Sequence, residues 1–186
     1  MQEYTVASGI IVDGDRTVFV QNRRRNGSLD WSTPGGVVDP GEEVLQALRR
    51  EVIEETALTV DAWSPMLYSV DADFIGRDLT LRAEVFVAES FDGILHIDDP
   101  DHVVVDGRWV DHHEALTLLG TAPAWVAEPL THALAHILGD ERAPETSAGW
   151  CYEIEGGGSG QPFTARRLAG PTSAGNSDAG NHDAAD

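Results

Sequence analysis

Three acidic residues lie close together in one predicted helix, at Glu51, Glu54 and Glu55. A helix of about four turns is predicted because residues 42–57 lack Gly and Pro and carry apolar residues at helical spacing. That spacing places Glu51 and Glu55 on the same stripe as the apolar Leu48 and Val52. A half-buried carboxylate is costly without a positive partner. The sequence therefore predicts a cation beside this stripe.

A divalent metal ion is the simplest cation for this position. Mg²⁺ and Mn²⁺ prefer oxygen ligands, and Mg²⁺ commonly binds a few carboxylates together with substrate phosphate oxygens. Arg50 alone does not neutralise three acids. The alternative is a surface helix whose glutamates form exposed ion pairs with Arg49 and Arg50. The Gly- and Pro-containing loop at residues 31–41, which leads into the helix, favours the metal site.

The loop and the helix together resemble the Nudix box, the sequence signature of a superfamily of hydrolases. The matching residues, at the spacing of that signature, are Gly36, Glu42, Arg50, Glu51, Val52, Glu54, Glu55 and Leu58. Ala57 stands where the family usually has Gly, at a helix end where a left-handed conformation costs a residue with a Cβ about 1 kcal/mol. This departure removes no charge, and the remaining pattern is far more specific than a lone Gly-rich loop.

The resemblance implies an α/β fold, a Nudix-type α/β/α sandwich with a central mixed β-sheet. It also implies metal ligands, which would be Glu51, Glu54, Glu55 and the carbonyl of Gly35. Glu42 and Arg50 would brace the loop against the helix, so the residues implied in catalysis are Glu54, Glu55, Arg50 and Glu42. Two or three Mg²⁺ or Mn²⁺ ions would bridge substrate phosphates while water attacks phosphorus in a diphosphate linkage.

The substrate and the general base stay open at this stage. A nucleoside triphosphate, an ADP-ribose-like compound and another nucleotide sugar all fit the box. The base could be a box glutamate or an acid of the later segment at 98–102 or Asp106, although a solvated acidic turn is the simpler interpretation of that segment. The rival function is a Nudix-like module that binds a nucleotide as a sensor without hydrolysing it. The intact glutamates of the box count against that alternative.

The elements that must position this site are predicted from alternation, turn signals and helical spacing. A β-hairpin is expected from strands at 4–12 and 17–21 around Asp13-Gly14-Asp15. Further strands are expected at 58–70, 79–88, 94–97 and 103–110, and further helices at 111–120 and 124–138. Residues 1–142 are predicted to form the Nudix domain. Residues 143–186 are predicted to be a largely disordered extension, with a short strand at 150–154 and disorder from 156 onward.

The composition narrows the class of partner. The formal charge of −20 disfavours polymer nucleic acid and anionic membrane, because phosphates are bound by clustered Lys and Arg. A small nucleotide is the expected partner, and a homodimer is left open. No apolar run is long enough to span a bilayer, and no secretory pattern is present, which predicts a cytoplasmic protein. The triplet Arg23-Arg24-Arg25 is interpreted as a solvated turn in preference to an anchor for substrate phosphate.

Other candidate residues carry weaker patterns. His132 and His136 have metal-binding spacing on a helix but lack a third ligand, so a structural pair is favoured. The pair at 112–113 falls at a predicted helix start, and Cys151 has no evident His partner, so neither predicts nucleophilic catalysis. Three aromatic residues could stack on a nucleotide base, namely Trp31, Phe74 and Trp125. Core positions are more common for aromatic residues of this kind.

Overall fold

The computed structural model describes residues 2–138, 148–157 and 163–169. Within these ranges the strands are β1 (Gln2–Ile10), β2 (Val12–Asp13), β3 (Arg16–Arg23), β4 (Leu29–Ser32), β5 (Gly35–Val37), β6 (Thr59–Trp63), β7 (Tyr68–Phe74), β8 (Leu79–Asp92), β9 (Val104–Asp111), β10 (Ala148–Gly156) and β11 (Phe163–Ala169). The helices are α1 (Val44–Thr56), α2 (His112–Leu119) and α3 (Ala124–Ile137). No helix in the described ranges is both long and apolar enough to cross a membrane.

The strands of the described residues form two sheets. The larger has the order β11-β10-β7-β8-β1-β5, with β6 paired to the far end of β8. Its β1–β8 and β10–β7 pairs are parallel and the others antiparallel. In the smaller sheet β3 pairs antiparallel with β2, β4 and β9. The predicted α/β fold with a central mixed sheet is therefore confirmed.

The first predicted hairpin is correct at its turn but wrong in extent. Val12 and Asp13 pair with Thr17 and Arg16 around the turn, whereas residues 2–10 leave the hairpin and join the larger sheet. Strand β1 can do so because it is buried on both faces. Ala7 packs in the hydrophobic cluster that contains α1, and Ile10 packs in the cluster that contains α2 and α3. A half-exposed hairpin strand would have left one of these faces in water.

Two other predicted strands differ from the structure. The segment 58–70 is divided into β6 and β7 by a bend at Pro65, a residue that lacks a backbone N–H for a ladder. The segment 94–97 is a loop, and Ile94 is 86% exposed. This loop runs beside the end of α1, where the N–H of His96 donates to the carbonyl of Thr56. The predicted loop at 31–41 contains the end of β4 and the short strand β5.

The predicted strand at 150–154 is confirmed and is longer than predicted, as β10. Trp150, Tyr152 and Ile154 are buried in the cluster that lies against α3. The disorder predicted for residues 156–186 is wrong for β11, whose Phe163 ring lies edge-on to Phe74 and to Trp125. These ring contacts anchor β11, and the Gly- and Ser-rich composition around it gave no sign of them. Residues 158–162 and 170–186, like residues 139–147, lie outside the described residues, and the domain boundary at 142 stays a prediction.

The end of α1 explains how the chain tolerates its departure from the Nudix box. Ala57 has φ 58°, a left-handed conformation, and its N–H donates to the carbonyl of Ile53. Gly adopts this conformation without the steric penalty of a Cβ. We expect Ala57→Gly to raise the free energy of unfolding by about 0.5–1 kcal/mol, measured by urea denaturation. Ala62→Gly, in strand β6, should lower it, and a loss of stability in both variants would contradict this explanation.

Candidate active site

Helix α1 presents the predicted mixed stripe of apolar and acidic side chains. Leu48 and Val52 are fully buried, and Glu55 is only 6% exposed on the same face. The helix begins one residue after Glu43, whose backbone N–H donates to the side chain of Gln46. It begins two residues later than predicted and ends at Thr56. The apolar part of the stripe therefore fixes the helix against the core and pulls Glu55 out of water.

Glu55 is a buried carboxylate with little to compensate its charge. Among the described residues its one hydrogen-bond donor is the backbone N–H of Gly35, 2.9 Å from Oε2. Burial raises the pKa of Glu55 to about 8, with the charges of Glu51 and Asp99 adding to the rise and the Gly35 N–H and Arg24 opposing it. Metal-free Glu55 is therefore mostly protonated at neutral pH. A divalent cation is the kind of partner that would ionise it.

Arg50 connects the loop before α1 to the acidic stripe. Its Nε and Nη2 donate to the two oxygens of Glu42 at 3.1 and 2.9 Å, and its Nη2 also donates to the carbonyl of Val37 at 3.3 Å. Nη1 donates to Glu51 at 2.7 Å and lies 3.5 Å from Glu54. Hydrogen bonding to Arg50 lowers the pKa of Glu42, and that to Glu42 raises the pKa of Arg50. The expected contact between Glu42 and Arg50 is present, and its catalytic role stays a prediction.

Glu51 is confined by the loop as well as by Arg50. A Cβ placed on Gly36 would lie 2.4 Å from the Glu51 carboxyl carbon, so any other residue there would displace this carboxylate from the position in which Arg50 holds it. Burial raises the pKa of Glu51, although the ion pair with Arg50 opposes the rise. Gly at position 36 therefore leaves space for the Glu51 carboxylate beside Arg50. The same loop supplies the Gly35 N–H to Glu55, which places two of the predicted metal ligands on one side of the loop.

The donor chemistry of the site fits a divalent metal ion. As the side chains stand, no three His, Cys, Asp or Glu residues of the described ranges converge closely enough to form a metal cluster. Glu51 forms an ion pair with Arg50, and the Glu54 side chain is 41% exposed. Binding by Glu51, Glu54 and Glu55 therefore requires rotation of these side chains. The buried and poorly compensated Glu55 carboxylate favours such a rearrangement.

The loop between β8 and β9 contains a buried acid, Asp99, whose charge acts on the glutamates of the site. Asp99 is buried, and its oxygens accept N–H groups from Asp101 at 3.0 Å and from Val103 and Val104 at 2.7 Å. Its charge contributes to the raised pKa of both Glu51 and Glu55. Asp99 therefore holds this loop in place beside the glutamates. Asp106 instead pairs with Arg108.

Several other candidate residues lie in different surroundings. Trp31 is 4% exposed beneath the guanidinium of Arg108, and Trp125 packs edge-on to Phe74. Trp31 and Phe74 therefore belong to the core, and Trp125 is partly buried against it. His132 and His136 contact each other edge-on, with centroids 4.8 Å apart, and no metal cluster among the described residues includes them. His112 and His113 lie at the start of α2, and Cys151 lies in strand β10.

Asp30 is a buried acid linked to the site through Arg24, and the sequence did not single it out. Its side chain is 8% exposed and forms a two-point ion pair with Arg24, with both distances 2.6 Å. Arg24 in turn opposes the rise in the pKa of Glu55. The triplet of arginines at 23–25 was the available signal, but nothing in the sequence distinguishes its middle member. The distinction arises because Asp30 comes from the neighbouring strand β4.

The Arg50 network makes a substitution test possible. We expect Arg50→Lys to lower kcat by about ten- to a hundredfold, because Lys cannot donate side-on to Glu42 while also holding Glu51. The measurement is steady-state hydrolysis of the best nucleotide substrate. Arg49→Lys is the matched control, since within the described part of the chain the Arg49 side chain donates only to the Leu45 carbonyl, at 3.5 Å. Equal activity in both variants would show that the network is dispensable.

Comparison with known proteins finds a family match and several named relatives. Residues 3–133 match the family model described as the NUDIX domain. The chain is 32% identical over 84 residues to the oxidized purine nucleoside triphosphate hydrolase of Danio rerio, covering 45% of this chain and 53% of that protein. It is 28% identical over 107 residues to the 8-oxo-dGDP phosphatase NUDT18 of Mus musculus, covering 57% and 31%. The chain thus spans about half, or less, of the length of these relatives.

Solved structures share the fold. The MutT protein from Bacillus halodurans aligns with a TM-score of 0.61 and 21% identity, covering 89% of this chain and 97% of that one. The ORF135 protein of E. coli aligns with a TM-score of 0.61 and 24% identity, covering 77% and 96%. At these identities the likeness concerns the arrangement of strands and helices. It places the loop and α1 of this chain within an architecture shared with those proteins.

Proposed function

Because this chain belongs to the Nudix hydrolase superfamily, we propose that it is a Mg²⁺- or Mn²⁺-dependent hydrolase of a diphosphate linkage. The substrate class is a small nucleoside diphosphate linked to a further group. The observation that carries the proposal is the buried carboxylate of Glu55 on the stripe that also holds Glu51, with the Gly35–Gly36 loop packed against both. An ionised carboxylate is costly to bury in that position unless a cation lies beside it, and buried acids with a raised pKa cluster at functional sites.

The residues of the chain divide the work between them. Glu51, Glu54 and Glu55 would hold the cations, with the Gly35 carbonyl as a further ligand. Bound cations would neutralise the substrate phosphates and make phosphorus more electrophilic. Arg50 opposes the rise in the pKa of Glu51 that burial causes, and it ties Glu51 to Glu42, so the acid would keep its place when a substrate enters. Asp99 keeps the β8–β9 loop folded beside them.

An oxidised purine nucleotide is the substrate that we propose to test first. The named relatives act on oxidized purine nucleoside triphosphates and on 8-oxo-dGDP. Nucleoside triphosphates and nucleotide sugars share the diphosphate on which the glutamate stripe would act, so they belong in the same panel. The charge of −20 supports a small nucleotide over polymer nucleic acid, since duplex binding needs clustered basic residues.

The experiment is a turnover assay over a nucleotide panel with separation of the products. The panel holds 8-oxo-dGTP, 8-oxo-dGDP, dGTP, ADP-ribose and a nucleotide sugar, each with Mg²⁺, with Mn²⁺ and with a chelator. We expect at least one member to be cleaved at its diphosphate linkage only when metal is present. Tight binding of a member without any turnover would instead support a nucleotide sensor.

A further inference from the structure

Two arginines flank the glutamate stripe, and each is held side-on by a carboxylate. Arg50 donates from Nε and Nη2 to the two oxygens of Glu42. Arg24 donates from the same two nitrogens to Asp30, with both distances 2.6 Å. This geometry fixes the plane of each guanidinium, because both N–H vectors must meet one carboxylate. The two arginines therefore differ from flexible surface cations.

The remaining donors of the two arginines have different surroundings. Those of Arg50 are used within the protein, since Nη1 donates to Glu51 and Nη2 also donates to the carbonyl of Val37. The Nη1 of Arg24 has no hydrogen-bond partner among the described residues, and the Arg24 side chain is 45% exposed. Only Arg24 can therefore donate to a bound anion without losing an existing hydrogen bond.

Arg24 is also on the correct side of the smaller sheet. Along β3 the alternate residues Val18, Val20 and Asn22 share one face, and Val18 packs with Leu48 and Val52 of α1. Asn22 is paired with Asp30, so Asp30 lies on the same face of the sheet as Val18, the face turned toward the cluster that contains Leu48 and Val52. The influence of Arg24 on the charge of Glu55 agrees with this placement.

The turn that carries Arg24 is held by its own hydrogen bonds. The N–H of Arg24 donates to the carbonyl of Ser28, and the N–H of Gly27 donates to the carbonyl of Arg24, both at 2.8 Å. Gly27 has φ 83°, which a turn of this kind requires. By contrast, the exposed Arg23 and Arg25 form no ion pair among the described residues. Only the middle arginine of the triplet is aimed by a buried acid.

We propose that Arg24 binds a phosphate group of the substrate and that Asp30 is the positioning residue that directs it toward the glutamate stripe. The inference rests on the proposed function, because it assigns the phosphate of the same substrate. A planar guanidinium suits a phosphate, since Nη1 and the second hydrogen of Nη2 can donate together while Nε and Nη2 stay on Asp30. Arg24 would bind the end of the diphosphate that the cations leave uncovered, and Asp30 would keep the guanidinium from swinging into solvent.

The test compares Arg24→Gln with Arg25→Gln in the full chain. Pyrophosphate binding in the presence of Mg²⁺ is measured by isothermal titration calorimetry, and kcat and KM are measured on the best nucleotide of the panel. We expect Arg24→Gln to weaken pyrophosphate binding about tenfold and to raise KM more than it lowers kcat. Arg25→Gln should stay within about twofold of wild type. Asp30→Asn should weaken binding about threefold or more, because the amide holds the guanidinium less firmly.

Each outcome bears on the proposal. Unchanged binding in Arg24→Gln, or an equal loss in Arg25→Gln, would overturn it, since the effect would then be absent or one of general charge. If Arg24→Gln does not fold, Arg24→Lys against Arg25→Lys provides the same comparison, because Lys keeps the charge but loses the side-on contact with Asp30. Binding that depends on Arg24 in a protein without turnover would reject the hydrolase and leave the phosphate site standing.

Discussion

Glu55→Gln should lower kcat by about a hundredfold or more, because it removes one charge from the group that would hold the cations. The amide retains an oxygen that can accept the N–H of Gly35, so the loop should stay in place. The measurement is metal-dependent turnover of the best substrate at saturating concentration. Glu89→Gln is the matched control, since Glu89 is exposed on β8 outside the stripe. Comparable turnover in the two variants would remove Glu55 from the mechanism.

The same substitution should stabilise the metal-free protein at alkaline pH. The pKa of Glu55 is raised from 4.5 to about 8 by burial, so the folded protein keeps a proton that the unfolded chain has lost between these values. Stability from this group is full below pH 4.5 and decreases as the pH rises through 8. Gln does not titrate. We therefore expect the free energy of unfolding of Glu55→Gln, measured relative to that of the wild type, to be roughly 1–4 kcal/mol higher at pH 9 than at pH 5.

Urea denaturation in the presence of a chelator at the two pH values checks this expectation. With saturating Mg²⁺ at pH 9, the wild type should become more stable to unfolding than Glu55→Gln, because the cation stabilises the ionised carboxylate that only the wild type possesses. A pH dependence that is identical in both proteins would show that Glu55 has an ordinary pKa. The stability measurement and the loss of turnover are therefore two independent tests of one buried carboxylate.

Gly36→Ala should be the second most damaging change to activity. The added Cβ would lie 2.4 Å from the Glu51 carboxyl carbon, which must then move by an ångström or more. A displacement of about 1 Å in a catalytic group can cost about a hundredfold in rate. We therefore expect turnover to decrease ten- to a hundredfold and the affinity for Mn²⁺ to weaken. Because Gly36 does not have positive φ, the backbone should tolerate Ala.

Gly149→Ala provides the control for Gly36→Ala. A Cβ at position 149, in β10, would meet no atom within 4 Å, and Gly149 also lacks positive φ. Both variants should have unfolding midpoints close to wild type, and only Gly36→Ala should lose activity. If Gly36→Ala is fully active, the position of Glu51 is not important for turnover. The packing of the loop on the helix would then serve stability alone.

The helix and its acidic stripe could be predicted from the sequence because they depend on local spacing. The helical spacing of Leu48, Glu51, Val52 and Glu55 fixes which side chains share a face. The family signature adds the loop. The structure adds the contacts of Gly35 with Glu55 and of Gly36 with Glu51, which neither the spacing nor the signature specified. Local periodicity thus predicted the stripe, and the family resemblance predicted the loop beside it.

The parts that were missed depend on contacts between distant segments. Strand β1 looks like one arm of a hairpin, and only its burial between two clusters explains why it joins β8 instead. Strand β11 is anchored by Phe163 against Phe74 and Trp125, rings far away in the sequence. Arg24 becomes distinct from its neighbours only when β4 brings Asp30 beside it. No local pattern carries these pairings.

The measurement that tests the central claim most directly is the initial rate of nucleotide hydrolysis as Mg²⁺ is returned to chelator-treated protein. The wild type should have no rate without metal and a saturable rate with it, and the products should be those of cleavage at the diphosphate linkage. Glu55→Gln should stay near background over the same Mg²⁺ range. A wild-type rate that is independent of Mg²⁺, or one that Glu55→Gln reproduces, would contradict the assignment of the glutamate stripe as a metal-dependent active site.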